Sequence, residues 1–175
     1  DKNYEKAHEM ANDMLDIDSQ QMEALFIKAS VLFNQAKFNM ADAWVDQILF
    51  VEPFQAAALN LKAQILLALN HKERAELLLK QSIEENKNDV PLRITLLKIY
   101  QQQQQAPSQA IEALFNDVIE LDKSNLLFRS ALAKYYLEKK QFEQAEAVLR
   151  QALFDIPGLE SKQLLVELLA KTQGN

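Results

Sequence analysis

The chain has 175 residues, a net charge of -6, no cysteine and apolar residues at 49% of its positions. This composition supports a folded core, excludes disulfide and thiolate chemistry, and weighs against binding to nucleic acid or to an anionic membrane surface. Two glycines in the whole chain are too few for a phosphate-binding loop or for the turns of a sheet protein. We therefore predict an all-α protein, and its apolar runs are too short for a membrane-inserted helix.

The first predicted helix covers the sequence NYEKAHEMANDMLDID, within residues 1–21. Residues 22–55 follow as a helix pair, because apolar residues recur there at helical spacing in two blocks. The blocks are Leu25, Ala29 and Leu32 and then Ala41, Val45 and Ile48. Segments 56–89, 90–125 and 126–159 have the same two-block pattern with a short polar stretch between the blocks. A last predicted helix covers 160–175.

These segments are copies of one another. Ala29 and Ala41 recur 34 residues later as Ala63 and Ala75. The sequence LRITLLKIY from residue 92 matches FRSALAKYY from residue 128, an offset of 36. Four units and two partial units therefore cover the chain, which is the pattern of a helical repeat protein.

The two extra residues of the third unit lie in the stretch YQQQQQAPSQA, from Tyr100 to Ala110. A polar tract of this kind is either a linker between domains or a longer turn inside one structure. Pro107 suits the first turn of a helix, where its missing N–H group is not needed. We interpret the tract as the end of a first helix and its turn, so that residues 1–175 form a single array.

A helix pair of about 34 residues, with small residues where the helices cross and proline near its end, resembles the tetratricopeptide repeat (TPR) family. The matching small residues are Ala29, Ala63 and Ala133 in the first helices and Ala7, Ala41, Ala75, Ala110 and Ala145 in the second, with Pro53 and Pro157 as the terminal prolines. Several positions depart from the family pattern: Arg93 and Arg129 replace a large apolar residue, Leu97 replaces a small one, and Lys87 and Lys123 replace proline.

The resemblance implies a right-handed superhelical α-solenoid of antiparallel helix pairs with an inner groove. Residues 1–21 would be the second helix of a truncated repeat and 160–175 the first helix of another, so the sequence looks like an excerpt of a longer bacterial-type array. Leu164, Leu165, Leu168 and Leu169 then lack a partner helix. We expect the terminal helix to cap the array or to drive self-association.

No catalytic or metal-binding pattern stands out from the residues. His8 and His71 are not spaced as a ligand pair, and the carboxylates Asp13, Asp16 and Asp18 lack the central glycine of a calcium loop. The serines have no base in register with them. We predict a protein that is not an enzyme and that needs no metal or cofactor.

The family resemblance implies that the first helix of each repeat lines the concave groove. The residues on that face make a candidate site for a protein or peptide partner: Phe26, Ser30, Phe33, Asn60, Gln64, Ile94, Lys98, Ser130 and Lys134. Lys98 and Lys134 occupy equivalent positions, which favours a partner with an apolar anchor and an acidic end, unless both lysines are simply solvated. The basic carboxylate clamp of chaperone-binding TPR domains is missing, since the matching positions carry residues such as Phe26, Leu61 and Thr95.

Two functional hypotheses follow. The first is a non-catalytic scaffold that binds a partner segment in the concave groove. The alternative is a regulatory or substrate-recruiting arm of an enzyme, or of an envelope export or assembly complex, whose other domains lie outside this sequence. The residues do not distinguish a cytoplasmic from a periplasmic location.

Overall fold

A computed structural model describes residues 2–18, 21–103 and 106–173, and the side chain of His8 and residues Gln104 and Gln105 lie outside the described part. All regular structure in these ranges is helical. The helices are α1 (Lys2–Ile17), α2 (Met22–Asn34), α3 (Phe38–Val51), α4 (Ala56–Ala68), α5 (Lys72–Glu85), α6 (Val90–Gln102), α7 (Ser108–Leu121), α8 (Leu126–Glu138), α9 (Phe142–Asp155) and α10 (Leu159–Gln173).

The helices form sequential antiparallel pairs, with α2 against α3, α4 against α5 and α8 against α9. The helices α2, α4, α6 and α8 begin at residues 22, 56, 90 and 126, so the repeat length is 34, 34 and then 36 residues. The all-α prediction and the repeat inferred from the sequence are confirmed. No described helix has both the length and the apolar character needed to cross a membrane.

The chain divides into two compact units. Unit 1 is Asp1–Gln102 and contains α1 to α6, and unit 2 is Gln103–Asn175 and contains α7 to α10. The boundary falls in the glutamine tract, and each unit is described by itself. The single array expected across this boundary, with its superhelical shape, stays a prediction.

The core of unit 1 is built around alanines that lose all solvent exposure. Ala29 and Ala63 in the first helices and Ala41 and Ala75 in the second are each 0% exposed. A side chain of this size lets two helix backbones approach closely, so that larger neighbours can interdigitate. Those neighbours include Val45, Ile48, Ile65 and Leu79, and full burial of such a side chain contributes about 1.5–3 kcal/mol.

Unit 2 has buried alanines at the same positions, except in α7. Ala133 and Ala145 are buried as expected, but Ala110 is half-buried and the position at the helix crossing belongs to Ile111, which is 4% exposed. Ile111 is the fourth residue of α7, as Ala41 is the fourth residue of α3. The assignment of Ala110 was therefore wrong by one residue, because the longer tract shifts the start of α7.

The described residues of the glutamine tract lie at the end of α6, and Gln103 lies outside the helix. Gln101 and Gln102 close α6, while Pro107 is the N-cap of α7 with an extended ψ of 119°. Pro107 therefore lies one position before the first helical turn in which we expected it. The difference is small, since proline needs no N–H partner at either position.

Two arginines occupy positions that the family pattern assigns to large apolar residues. Arg93 is 7% exposed and Arg129 is 5% exposed. Arg93 Nη1 donates to the Asp89 carbonyl at 2.9 Å, and Arg129 Nη2 donates to Asp155 Oδ2 at 3.0 Å. Burial of the charge is tolerated because each guanidinium has polar partners while its alkyl stem packs in the core.

The last helix packs on its neighbour within unit 2. Leu165 and Leu168 of α10 are 8% and 3% exposed, and the helix lies against α9. These two leucines therefore have partners within the unit, unlike the expectation from the sequence. Val166 remains 63% exposed. Self-association through the terminal helices stays a prediction.

Candidate protein-interaction grooves

Unit 1 contains a cavity between its first helices. It has a volume of about 390 Å³, and α2 and α4 supply most of its lining. Five residues of the predicted groove meet there: Phe26, Ser30, Phe33, Asn60 and Gln64. They come together because residues three and four apart on a helix share one face, and α2 and α4 turn these faces to the same cavity.

A hydrogen bond between two first helices orders the wall of this cavity. Thr95 Oγ1 of α6 donates to Asn60 Oδ1 of α4 at 2.7 Å. Thr95 itself is buried, so this bond fixes the Asn60 side chain in one orientation. With its carbonyl oxygen directed at Thr95, Asn60 keeps its amide N–H group as a donor for a ligand.

The chemistry of the cavity is apolar and amide-like. Among its described lining residues, Asp89 is charged, and its Oδ1 accepts from the Leu92 backbone N–H at 2.9 Å at the start of α6. That carboxylate therefore has a structural role at the helix N-terminus. The aromatic rings of Phe26 and Phe33 are half-buried against the core. The cavity can hold an apolar side chain while the amides bind backbone groups.

The other predicted groove residues lie elsewhere. Ile94 is half-buried and Lys98 is exposed on α6, and neither lines the cavity of unit 1. Lys134 in unit 2 is exposed, with its Nζ 3.9 Å from Glu138 Oε1. Lys98 and Lys134 belong to different units. A shared role for these two lysines stays a prediction.

Ser130 lines a second cavity of about 310 Å³, inside unit 2. Leu127 of α8 and Glu160, Gln163 and Glu167 of α10 also line it. The three α10 residues were missing from our candidate site, although they repeat the spacing of Leu127, Ser130 and Lys134 on α8. Extending the same spacing to the terminal helix would have found them.

A third cavity, of about 900 Å³, lies in unit 2 between α7, α8 and α9. Its lining includes the buried Arg129 and its partner Asp155, with Lys123 and Glu120 at the surface. These charges are paired with one another, since Lys123 Nζ is 3.0 Å from Glu120 Oε2. We call it the outer cavity. It is separate from the cavity that contains Ser130, and it was not predicted from the sequence.

Two titrating groups hold helices together rather than forming a reactive centre. Burial lowers the pKa of Lys62, but hydrogen bonds and charge from Asp42 and Asp46 outweigh it, so the pKa is raised above its ordinary value. Burial, and then the Glu112 carboxylate, raise the pKa of Tyr136. In the described part of the chain, no group of three or more His, Cys, Asp or Glu side chains could hold a metal ion.

Comparison with known proteins identifies the fold. No protein-family model matches the chain, and no curated protein matches it. Among solved structures, the chain is similar to PilF of Pseudomonas aeruginosa, with 18% identity, coverage of 98% of this chain and 78% of that chain, and a TM-score of 0.75.

Two further structures show the same likeness. TTC0263, a thermophilic TPR protein of Thermus thermophilus, is 22% identical over 95% of this chain and 91% of its own, with a TM-score of 0.67. YrrB, described as a TPR protein with an unusual peptide-binding site, is 19% identical over 98% of this chain and 84% of its own, with a TM-score of 0.62. The chain thus has the tetratricopeptide-repeat fold.

Proposed function

We propose that this protein is a non-catalytic scaffold that binds an extended segment of a partner protein. The binding site is the cavity of unit 1 lined mainly by α2 and α4, which we call the inner cavity. The observation that carries this proposal is the meeting of Phe26, Phe33, Asn60 and Gln64 at one cavity of about 390 Å³. Two aromatic rings offer an apolar pocket, and two amides offer donors and acceptors at their edge. This combination suits a peptide with one apolar anchor.

The partner preference differs from the one suggested by the lysines. The cavity walls carry amide and hydroxyl groups, and its one described carboxylate is engaged at the start of α6. An uncharged anchor therefore suits unit 1 better than an acidic one. Asn60, oriented by Thr95, donates to a backbone carbonyl of the bound segment.

The test is affinity capture from a lysate of the source organism, with the retained proteins identified by mass spectrometry. Gln64→Tyr fills the cavity from its half-buried wall, and Gln109→Tyr places the same change on an exposed site of α7 in unit 2. We expect a partner that is retained by the wild type and by Gln109→Tyr but lost by Gln64→Tyr. Equal capture by all three proteins would reject the cavity as the binding site.

A double variant tests whether the partner binds at the cavity or at the two lysines. We expect the double variant Lys98→Glu, Lys134→Glu to retain the partner, because neither lysine lines the cavity. If this variant loses the partner while Gln64→Tyr retains it, the partner instead has the acidic end that Lys98 and Lys134 suggested.

A further inference from the structure

The helices α3, α4 and α5 of unit 1 are built to the same plan as α7, α8 and α9 of unit 2. The two sets begin at residues 38, 56 and 72 and at 108, 126 and 142, so each helix start differs by 70. Their lengths are also the same, 14, 13 and 14 residues. Every position in one block therefore has an equivalent 70 residues away in the other.

This equivalence shows which residues of unit 1 correspond to the lining of the outer cavity of unit 2. In unit 2 the surface positions of that cavity include Glu120, Ser124 and Ala147. Their equivalents in unit 1 are large apolar residues, Phe50, Phe54 and Leu77. The positions below them, Ile119 and Val148, correspond to Leu49 and Leu78, and Leu49 packs against the core of unit 1.

We call the surface formed by Phe50, Phe54 and Leu77 the outer apolar face. Their exposed fractions are 89%, 61% and 58%. Unit 2 has a carboxylate, a hydroxyl and a methyl group at these positions, so the fold does not require apolar side chains there. Exposed large apolar side chains grouped on one face mark a surface that another molecule covers.

The charges beside this face are unbalanced. Lys62 Nζ lies 2.7 Å from both Asp42 Oδ1 and Asp46 Oδ1, so one ammonium group faces two carboxylates. Asp46 and Glu85 stand at the positions of Asn116 and Asp155, both of which line the cavity in unit 2. In unit 2 Arg129 balances Asp155, whereas its unit 1 equivalent is Leu59. The border of the outer apolar face is therefore acidic.

We propose that the outer apolar face binds an amphipathic helix of a partner protein, with apolar residues on one side of that helix and Lys or Arg at its edge. An amphipathic helix can lay its apolar side along exposed apolar side chains such as these. The basic edge of the partner meets Asp46 and Glu85, which supplies charge complementarity and favours this partner over an acidic one. This site lies on α3, on the turn that follows it and on α5, whereas the inner cavity lies mainly on α2 and α4.

The probes are two dye-labelled helical peptides of about 15 residues, long enough to form helix on binding. One contains Leu on one side and Lys on the other, and the second has Glu in place of every Lys. The test variant is Phe50→Ser with Leu77→Ser, both at exposed positions. The matched control is Phe154→Ser, because Phe154 is 81% exposed in unit 2 and its unit 1 equivalent is Glu84.

Fluorescence anisotropy measures the affinity of each peptide for each protein. We expect the Leu/Lys peptide to bind the wild type and Phe154→Ser equally and the double variant about tenfold more weakly, as for the loss of two interface side chains. We also expect the Leu/Glu peptide to bind the wild type about tenfold more weakly than the Leu/Lys peptide.

Three outcomes overturn the proposal. Equal binding of the Leu/Lys peptide to the wild type and the double variant removes the outer apolar face as its site. Failure of the peptide to bind, with a concentration-dependent mass in light scattering that the double variant abolishes, assigns the face to a second copy of the chain. Failure to bind, with co-sedimentation of the wild type alone with phosphatidylserine vesicles, assigns it to a lipid surface.

Discussion

Single residues set how closely the helices of this protein approach. Ala63 and Ala145 have no exposed surface, so any larger side chain there must push two helices apart. His71 contrasts with them, since it is exposed and its side chain makes no capping hydrogen bond at the start of α5. The cost of a substitution therefore depends on the position in the repeat far more than on the size of the residue removed.

We expect Ala63→Trp and Ala145→Trp each to lower the free energy of unfolding by roughly 3 kcal/mol, because overpacking forces the helix pair apart. His71→Ala should change it by less than about 0.5 kcal/mol, as is usual for an exposed position. Urea denaturation followed by circular dichroism measures all three. Equal midpoints for the three variants would contradict the packing described for the alanines.

Two tyrosines make the same contact in different repeats. Tyr100 donates to Glu76 at 3.2 Å, and Tyr136 donates to Glu112 at 3.1 Å, in each case linking a first helix to the second helix before it. Both tyrosines are buried, so the hydroxyl needs this partner. The recurrence gives a structural reason for a tyrosine at both positions.

The raised pKa of Tyr136, caused first by burial and then by Glu112, predicts a loss of stability at alkaline pH. In the folded protein the pKa of Tyr136 lies above its ordinary value of 10.0. The contribution of the neutral Tyr136 hydroxyl to folding stability is therefore complete below pH 10 and is lost as the pH rises through the folded pKa. We expect Tyr136→Phe to lower this pH dependence, measured as the change in Tm between about pH 8 and pH 11. Lys62 contributes in the same direction, so some dependence should remain in the variant.

Glu112→Gln is the control for the cause of this shift. It removes the carboxylate charge, while burial, the larger cause, is kept. We expect a pH dependence between that of the wild type and that of Tyr136→Phe. Identical alkaline curves for all three proteins would show that Tyr136 does not contribute.

At the level of helices, α8 and α9 are joined by an ion pair between the buried Arg129 and Asp155, which is in contact with solvent. The side chain of Arg129 is 6% exposed and that of Asp155 is 33% exposed, and their closest atoms are 3.0 Å apart. An ion pair with a buried member adds little over apolar packing, but removal of Asp155 leaves the buried Arg129 charge without compensation. The family pattern, with a large apolar residue at this position, is consistent with the same reasoning.

We expect Asp155→Ala to destabilise the protein by about 2 kcal/mol, the scale of a hydrogen bond to a charged group. Arg129→Leu, alone or with Asp155→Ala, should lie within about 1 kcal/mol of the wild type because Leu suits the buried position. Chemical denaturation of the two single variants and the double variant measures this. A double variant as unstable as Asp155→Ala alone would show that the pair is not the cause.

The helices and part of the inner cavity could be predicted because helical spacing is local information. Residues i, i+3 and i+7 on α2 and α4 share a face whatever the rest of the chain does, so Phe26, Ser30, Asn60 and Gln64 could be grouped from the sequence. The Thr95–Asn60 hydrogen bond could not be predicted, since it depends on how α6 lies against α4. The role of Ile111 was not predicted because the third repeat has two extra residues, and the sequence does not show where α7 begins after them.

For the whole molecule, the division at Gln102 and Gln103 separates two groups of helices with their own cores. In a repeat protein, stability is a sum of the stability of each repeat and of the contacts between neighbours. A substitution in one unit should therefore act first on the helices of that unit.

Hydrogen exchange followed by mass spectrometry can test this locality. We expect Ala63→Trp to speed exchange in peptides from α4 and α5 more than in those from α8 and α9, and Ala145→Trp to do the reverse. The physical reason is that each alanine is buried inside a single unit. Uniform acceleration across all helices by either variant would show that the chain unfolds as one cooperative whole.

The sequence by itself determined the helical class, the repeat length and the faces of the helices, because these follow from periodic apolar residues and small residues at fixed positions. Only the tertiary structure decided which of those faces enclose a cavity and which stay exposed. Phe33 and Phe50 are both aromatic residues of helices, yet one lines the inner cavity and the other is 89% exposed. That difference depends on the packing of helices distant in sequence, which no local pattern encodes.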